Sequence, residues 1–368
     1  MKIFSINCFF SISLGLLILL YACSKQTEPI ILPPVPEKPF VDYKKFDFGN
    51  MAAISGHSIE DTLWDSDKRN ILGFRLGKSL KHLFLYPEDM GDQYPIASSV
   101  VSTKSWQSVF GSSLYLPPEK RKITTFALNA FNENVVKYDF LLPDYSAQKG
   151  YIESFLKEKG SLPYYGHKDF IYSFQNYENI KLMFGKDADI KQLFNITDTS
   201  YPAISKEGLL YYALNPTLSL RSTFMGEDFT DYFSLEEITD KQIARIRSIT
   251  YGKTAMMTID ANANEIKPVI TKLSNGQELS EEEKKIINKA TVYFYYYGYT
   301  ADELTKINKH ADNLQRVKQF INVAIKVEDL TFRPESFGRP LYFELTSHLN
   351  NTEQFNKNLY INQITFKK

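Results

Sequence analysis

Four stretches of the chain have the composition of long β-strands. They are LLYYALNPTLSL (209–220), SITYGKTAMMTIDA (248–261), ATVYFYYYGYT (290–300) and RPLYFELTSHL (339–349). Aromatic and β-branched residues favour strands, and the chain holds 24 Tyr and 27 Phe. We expect the first of these strands to end near Pro216. A large sheet is therefore the main constraint on the fold.

Helical patterns lie before and between these strands. They cover residues 151–160, 263–273, 280–289 and 300–321, and a further strand is expected at 322–332. In the second pattern, Ile266, Val269, Ile270 and Leu273 follow the i, i+3, i+4, i+7 spacing of a helix face. The sequence contains no G-x-G-x-x-G phosphate loop, which argues against a doubly wound parallel sheet. The order of the elements predicts an α+β fold.

The segment NIKLMFGKDADIKQLFNI (179–196) fits two secondary structures. Read as a strand, its alternation gives one apolar face: Ile180, Leu182, Phe184, Ala188, Ile190, Phe194 and Ile196. Read as a helix, it groups Ile180 with Met183, and Ile190 with Leu193. Two interpretations stay open: a segment that changes its structure, or an ordinary surface helix whose alternation is accidental.

The N-terminus has the pattern of a secretory signal. Lys2 precedes an apolar run that stops at Leu20-Tyr21-Ala22-Cys23, which resembles a bacterial lipobox with Cys23 as the lipidated residue. A plain transmembrane anchor is the alternative, but the run barely reaches the ~20 residues that a spanning helix needs. We expect a signal peptide at 1–22, a lipidated, proline-rich linker at 23–45 and one folded domain at 46–368.

Several kinds of chemistry have no support in the sequence. The net charge is zero, so we expect no nucleic-acid partner. Cys8 lies in the signal peptide and Cys23 would be lipidated, which leaves no disulfide, zinc site or thiol nucleophile. The five histidines lack metal-binding spacing, and neither H-E-x-x-H nor G-x-S-x-G occurs. We expect no catalytic residue, no metal, no cofactor and no enzymatic activity.

A series of motifs carries a family resemblance. Thr250-Tyr251-Gly252-Lys253, at the start of a strand, resembles Ala-Tyr-Gly-Arg. Gly298 resembles the first glycine of a Gly-Gly-Asp sequence that follows a strand. GLLYYALNPTLSL, LTFRPESFGRPLYFELTSHLNN and, upstream, QYPIASSVV resemble further motifs in the same order. In this order and spacing the chain resembles the thiol-activated, cholesterol-dependent cytolysins, which share a superfamily with the membrane-attack-complex/perforin proteins.

The resemblance implies a bent, twisted antiparallel central sheet flanked by two helical clusters, with Gly252 and Gly298 at the bend. In that family the clusters unfurl into transmembrane β-hairpins, and many copies close into a barrel. Residues 176–207 and 262–289 would be the clusters here, and the apolar face of 179–196 would enter the membrane. The implied partners are a lipid membrane and further copies of the chain.

The sequence departs from the family in two places. We expect no counterpart of the C-terminal β-sandwich with its Trp-rich segment, and therefore no cholesterol binding by that route. The second cluster contains Pro268 and the acidic run 281–283, which suit a solvated helix better than a hairpin in lipid. Two alternatives to a pore-forming protein therefore stay open: a surface scaffold that never inserts, and a subunit that needs a second cytolysin-like protein. In each case we expect a lipid-anchored protein of the cell envelope, at the outer membrane or cell surface.

Overall fold

The structure is a computed structural model. It describes residues 57–64, 66, 70–78, 83–84, 96–102, 113–114, 122–130, 135–160, 168–174, 177–184, 189–196, 208–223, 230, 232–241, 243–308, 312–324, 337–347 and 355–365. All of them belong to the unit Phe40–Lys368. The expected signal peptide and linker, with Cys23, lie outside the described residues.

The elements follow one another along the chain with helices inserted among strands. The strands are β1 (His57–Trp64), β2 (Asn70–Lys78), β3 (Leu83–Phe84), β4 (Val100–Ser102), β5 (Ser113–Leu114), β6 (Thr124–Ala130), β7 (Val135–Leu141), β8 (Lys168–Phe174), β9 (Gly208–Thr223), β10 (Ile243–Asp260), β11 (Thr291–Tyr297), β12 (Arg339–Ser347) and β13 (Phe355–Thr365). The α-helices are α1 (Tyr145–Lys159), α2 (Lys181–Phe184), α3 (Ile190–Leu193), α4 (Leu235–Lys241), α5 (Ala263–Ser274), α6 (Glu281–Lys289), α7 (Ala301–Asn308) and α8 (Asn313–Ala324). A 3₁₀ turn at Tyr177–Ile180 precedes α2.

The described strands form two sheets in which every pairing is antiparallel. The larger has ten strands, with the path β3-β12-β10-β9-β6-β7. β11 and β4 attach beside β10, β8 attaches beside β9, and β5 pairs with β4. β1, β2 and β13 form a separate three-stranded sheet. The predicted α+β fold with an antiparallel central sheet is confirmed.

β9 and β10 form the spine of the large sheet, and each changes its neighbour partway along. β9 pairs with β8 over 208–214 and with β6 over 218–223. β10 pairs with β12 over 244–252 and with β11 over 254–260. The two exchanges occur at the same level of the sheet. On one side of this level the outer neighbours of β9 and β10 are β8 and β11, and on the other side they are β6 and β12.

The prediction that the first long strand ends near Pro216 is wrong, because β9 runs through this proline to Thr223. Pro216 pairs with Gly252, and the β9–β10 register shifts between Tyr251 and Gly252. Such an irregularity interrupts the ladder locally and accommodates a residue that has no N–H to donate.

The expected helix at 151–160 is confirmed as part of α1. Asp144 caps its first turn by accepting from the Ala147 N–H at 2.8 Å, and Gly160 ends it at φ 75°. Ile152, Phe155 and Leu156 are buried against β6 and β9.

The single long helix expected at 300–321 is two helices, α7 and α8. Asp312 caps α8 by accepting from the Gln315 N–H at 2.9 Å, so a new helix begins there. The strand expected at 322–332 is wrong over its first three residues, which form the last turn of α8. The buried residues of α8 explain this, because Val317, Phe320, Ile321 and Ala324 keep the helical spacing to the end. Residues 325–332 lie outside the described residues.

Candidate functional site

The part of the sheet in which β8 and β11 flank β9 and β10 is a regular four-stranded block. It consists of residues 168–174, 208–214, 254–260 and 291–297, which pair in seven rows without a register shift. One end row joins Lys168, Leu214, Thr254 and Tyr297, and the other joins Phe174, Gly208, Asp260 and Thr291. Because side chains alternate along strands, each face of this block collects every second row.

The first face is covered by the 3₁₀ turn, α2 and α3, which we call the first cluster. Tyr177 lies fully buried at its centre. Its ring meets Phe174, Phe194 and Tyr293 edge-on, with centroids 5.2, 6.4 and 5.9 Å away. Its hydroxyl lies 3.5 Å from Thr258 Oγ1, and burial raises the pKa of this hydroxyl far above its ordinary value. The cluster is thus held to the sheet mainly by aromatic packing.

The described parts of the segment with two periodicities form helical turns in this structure, at 177–184 and 189–196. Its described apolar residues are buried against the first face, whichever period they follow: Ile180, Leu182, Met183, Ile190, Leu193, Phe194 and Ile196. Phe184 is the last residue of α2, and Ala188 lies outside the described residues. Asp189 caps α3 by accepting from the Gln192 N–H at 3.0 Å. The members of the expected membrane-facing set whose burial is described are therefore part of the core here.

The second face is covered by α5, α6 and α8, and we call α5 and α6 the second cluster. The predicted apolar face of α5 is buried there. At the start of α6, Ser280 and Glu283 form a reciprocal capping box. Lys272 on α5 pairs with Glu283 at 2.6 Å, and the Leu314 N–H of α8 donates to Asn288 Oδ1 at 2.9 Å. These polar contacts add to the apolar packing and fasten the two helices to each other and to α8.

Three glycines meet where β10 changes its neighbour. Gly298, which follows β11, and Gly338, which precedes β12, both have positive φ, at 83° and 98°. A Cβ atom at Gly338 would lie 1.9 Å from the Gly252 carbonyl oxygen, and one at Gly298 would lie 2.6 Å from it. A Cβ at Gly252 would lie 2.2 Å from the Asn215 carbonyl oxygen. The backbones approach so closely that only glycine fits, and we call this the glycine junction.

A buried ion pair adjoins the glycine junction. Lys253 is fully buried, and its Nζ lies 2.6 Å from Glu303 Oε1 on α7 and 5.4 Å from the centre of the Tyr299 ring. Burial lowers the pKa of the Lys253 amine, and the hydrogen bond to Glu303 acts in the opposite direction. Glu303 also accepts from the Thr300 N–H at 2.7 Å. One carboxylate thus caps α7 and binds it to the central strand.

The sequence signals for this region were incomplete. The motifs led to Gly252 and Gly298 but not to Gly338 or to the Lys253–Glu303 pair. Thr300 and Glu303 have the spacing of a capping box, which could have indicated the start of α7. Nothing local connects Glu303 with a lysine fifty residues earlier.

No described helix has the length and apolar character needed to cross a membrane. The described residues contain no group of three His, Cys, Asp or Glu side chains arranged to hold a metal ion.

These features define an α+β chain built on a bent antiparallel sheet, with a helical cluster on each face of one four-stranded block. Neither a protein-family model nor a curated protein sequence matches the chain. Solved structures do match its fold, among them several cholesterol-dependent cytolysins. The likeness confirms the predicted cytolysin-like fold.

Three of these structures illustrate the likeness. Wild-type pneumolysin superposes with a TM-score of 0.55 at 12% identity, and the human-specific toxin intermedilysin with 0.55 at 10%; in both, the match covers 82% of this chain and 67% of the toxin. The cytotoxin suilysin from Streptococcus suis gives 0.54 at 11%, covering 73% of this chain and 60% of the toxin. The chain thus spans 60 to 67% of the length of these toxins.

Proposed function

We propose that the chain is a cytolysin-like lipoprotein of the cell envelope, anchored at Cys23, that oligomerises on a membrane and converts its two clusters into β-hairpins. Its fold supports this proposal, because the solved structures it resembles are cytolysins. The proposal includes the lipid membrane and further copies of the chain as partners. It includes no cholesterol requirement.

The regular pairing of the four-stranded block is the main support for the proposal. The connections 175–207 and 261–290 both leave the block from its Phe174–Thr291 end, and each has roughly 30 residues. A membrane strand needs about 10 residues, so either connection is long enough to become two strands and a turn. The hairpins would extend strands that are already paired in register.

The edges of the block suit assembly from many copies. β8 and β11 are its outer strands, and they run antiparallel to each other because two strands lie between them. β11 of one copy could therefore pair with β8 of the next as an antiparallel ladder. Spanning strands must close into a barrel in lipid, since no water is present to satisfy an open edge. Such a closed ring would meet this requirement.

Tethering the first cluster tests the proposal. The rings of Phe194 and Tyr295 meet edge-on with centroids 6.3 Å apart, so Phe194→Cys and Tyr295→Cys can be bridged by a short, cleavable thiol reagent. The processed chain with Cys23→Ser is then assayed for dye release from liposomes, with and without cholesterol. We expect release that the bridge abolishes and its cleavage restores. The single-cysteine variants, treated in the same way, are the controls.

The second cluster supports a rival function, a surface scaffold that keeps this fold and does not insert. Its helices are well capped, and Glu281, Glu282 and Glu283 all lie in the first turn of α6. Acidic side chains facing lipid are unfavourable, although less so than the ~2–4 kcal/mol of a basic side chain at the midplane. If the unbridged chain releases no dye from any liposome, the scaffold becomes the better proposal.

A further inference from the structure

The described residues expose an apolar face on the β6–β7 hairpin. Ile123 is 68% exposed, Tyr138 64%, Phe140 71% and Leu142 36%. Thr124 pairs with Leu141, so the next step of the register places Ile123 opposite Leu142, on the face that also holds Tyr138 and Phe140. α1 covers the other face of the hairpin. Large apolar side chains gathered on one surface indicate an interaction site.

β7 is also the last strand on this side of the large sheet among the described residues. The Phe140 N–H donates to Asp139 Oδ1 at 2.8 Å, and we infer from this bond that it faces the open edge and not β6. Main-chain groups alternate between the two sides of an antiparallel strand. The N–H and C=O groups of Val136, Tyr138 and Phe140 therefore point away from β6, along the open edge. An apolar face beside an open edge fits another β-strand. It does not fit lipid, where open main-chain groups are costly.

We propose that the occupant of this edge is β7 of a second copy, paired antiparallel about a two-fold axis at Tyr138. The sequence Val-Val-Lys-Tyr-Asp-Phe-Leu (135–141) is self-complementary in this register. Lys137 lies opposite the partner's Asp139, and Asp139 opposite the partner's Lys137. Val136 lies opposite the partner's Phe140. The outward main-chain groups of 136, 138 and 140 then fall in hydrogen-bonded pairs, and the charged residues fall in the closer, non-hydrogen-bonded pairs.

The charges select this register over its neighbours. A shift by one residue pair in one direction places Lys137 opposite the partner's Lys137. A shift in the other direction places Asp139 opposite the partner's Asp139. Like charges directly opposite each other destabilise a ladder, whereas opposite charges stabilise it. The central register alone makes two attractive pairs.

The dimer is a different assembly from the ring proposed above. A two-fold contact uses the same surface on both copies and stops at two, whereas a head-to-tail contact continues into a ring. The β7 edge takes no part in the β8–β11 pairing. The two β7 strands run in opposite directions across the axis. The dimer is therefore independent of whether the chain forms pores.

Analytical ultracentrifugation of the processed chain with Cys23→Ser tests the dimer. Pairing along one short strand buries less than the ~800 Å² per partner of a standard interface, so we expect a dissociation constant of roughly 1–100 μM. Lys137→Glu alone and Asp139→Lys alone should each weaken the dimer on the order of tenfold, because both introduce like-charge pairs. The double variant should restore it, since the swapped charges attract again.

Two further variants separate pairing from folding. Glu158→Gln removes the 2.5 Å ion pair between Glu158 and Lys137 within one copy, and it should leave the dimer unchanged. Tyr138→Lys places two like charges on the axis and should abolish the dimer without changing the circular dichroism spectrum. A chain that stays monomeric at 100 μM overturns the proposal. So does a dimer that ignores the single charge variants, or one that the double variant fails to restore.

Discussion

Gly338→Ala should be severely destabilising, because of both its backbone conformation and its surroundings. Its φ of 98° is unfavourable for a residue with a Cβ, by ~1–2 kcal/mol. The new Cβ would also lie 1.9 Å from the carbonyl oxygen and 2.4 Å from the carbonyl carbon of Gly252. These are main-chain atoms of the central strand, so no rotamer change relieves the clash, and overpacking of this kind adds ~1–3 kcal/mol. We expect the free energy of unfolding to fall by ~2–5 kcal/mol, a large part of a typical total of ~5–15 kcal/mol.

Urea unfolding followed by far-ultraviolet circular dichroism measures this loss. Gly150→Ala is the matched control, because Gly150 lies in α1 with no atom near the position of a new Cβ. Alanine there should raise stability by ~1 kcal/mol, through helix propensity alone. If Gly338→Ala unfolds at the same urea concentration as the unmodified chain, the close approach at the glycine junction is refuted.

Three further predictions concern charges and caps. Stability should fall as pH rises from 10 to 12, by ~1.4 kcal/mol per pH unit for each tyrosine that ionises only on unfolding. Burial raises the pKa of Tyr151 to about 12, so the folded chain keeps a proton that the unfolded chain loses. Absorbance at 295 nm should show no tyrosinate below pH 11 from such residues. Ser280→Ala should cost ~1 kcal/mol in thermal unfolding by removing the α6 cap, and an unchanged melting temperature would contradict it. Glu303→Gln should cost ~2 kcal/mol, less than a fully buried pair because Glu303 is partly exposed. Because burial lowers the pKa of the Lys253 amine, this deficit should shrink as the pH rises towards the ordinary pKa of lysine. Glu281→Gln on the surface should leave stability unchanged.

The spacing of apolar residues predicted those elements in which the buried residues follow one repeat, helical or strand-like. α5 and α1 each have one apolar face, and both faces are buried as expected. The strands around residues 250 and 294 were equally clear, because long runs of aromatic and branched residues suit a sheet that is covered on both faces.

The features that the sequence did not reveal depend on partners distant along the chain. β9 continues through Pro216 because β10 has a register shift opposite it, which no local pattern in 209–220 announces. Gly338 is required both by its positive φ and by the close approach of Gly252, and neither is visible in the local sequence. The segment 179–196 could not be assigned because its apolar residues satisfy both periods, and packing against the aromatic first face decides in favour of helical turns.

The two clusters differ in how much holds them in helical form, and this difference orders the proposed conversion. α2 and α3 have four residues each, too short to be stable alone even with the Asp189 cap on α3, so burial against the sheet is their main support. α5 and α6 have 12 and 9 residues, their own caps and the Lys272–Glu283 ion pair. Lifting the first cluster off the sheet removes its main support, whereas the second keeps its caps and ion pair. The first cluster should therefore convert first, and the second should limit the rate.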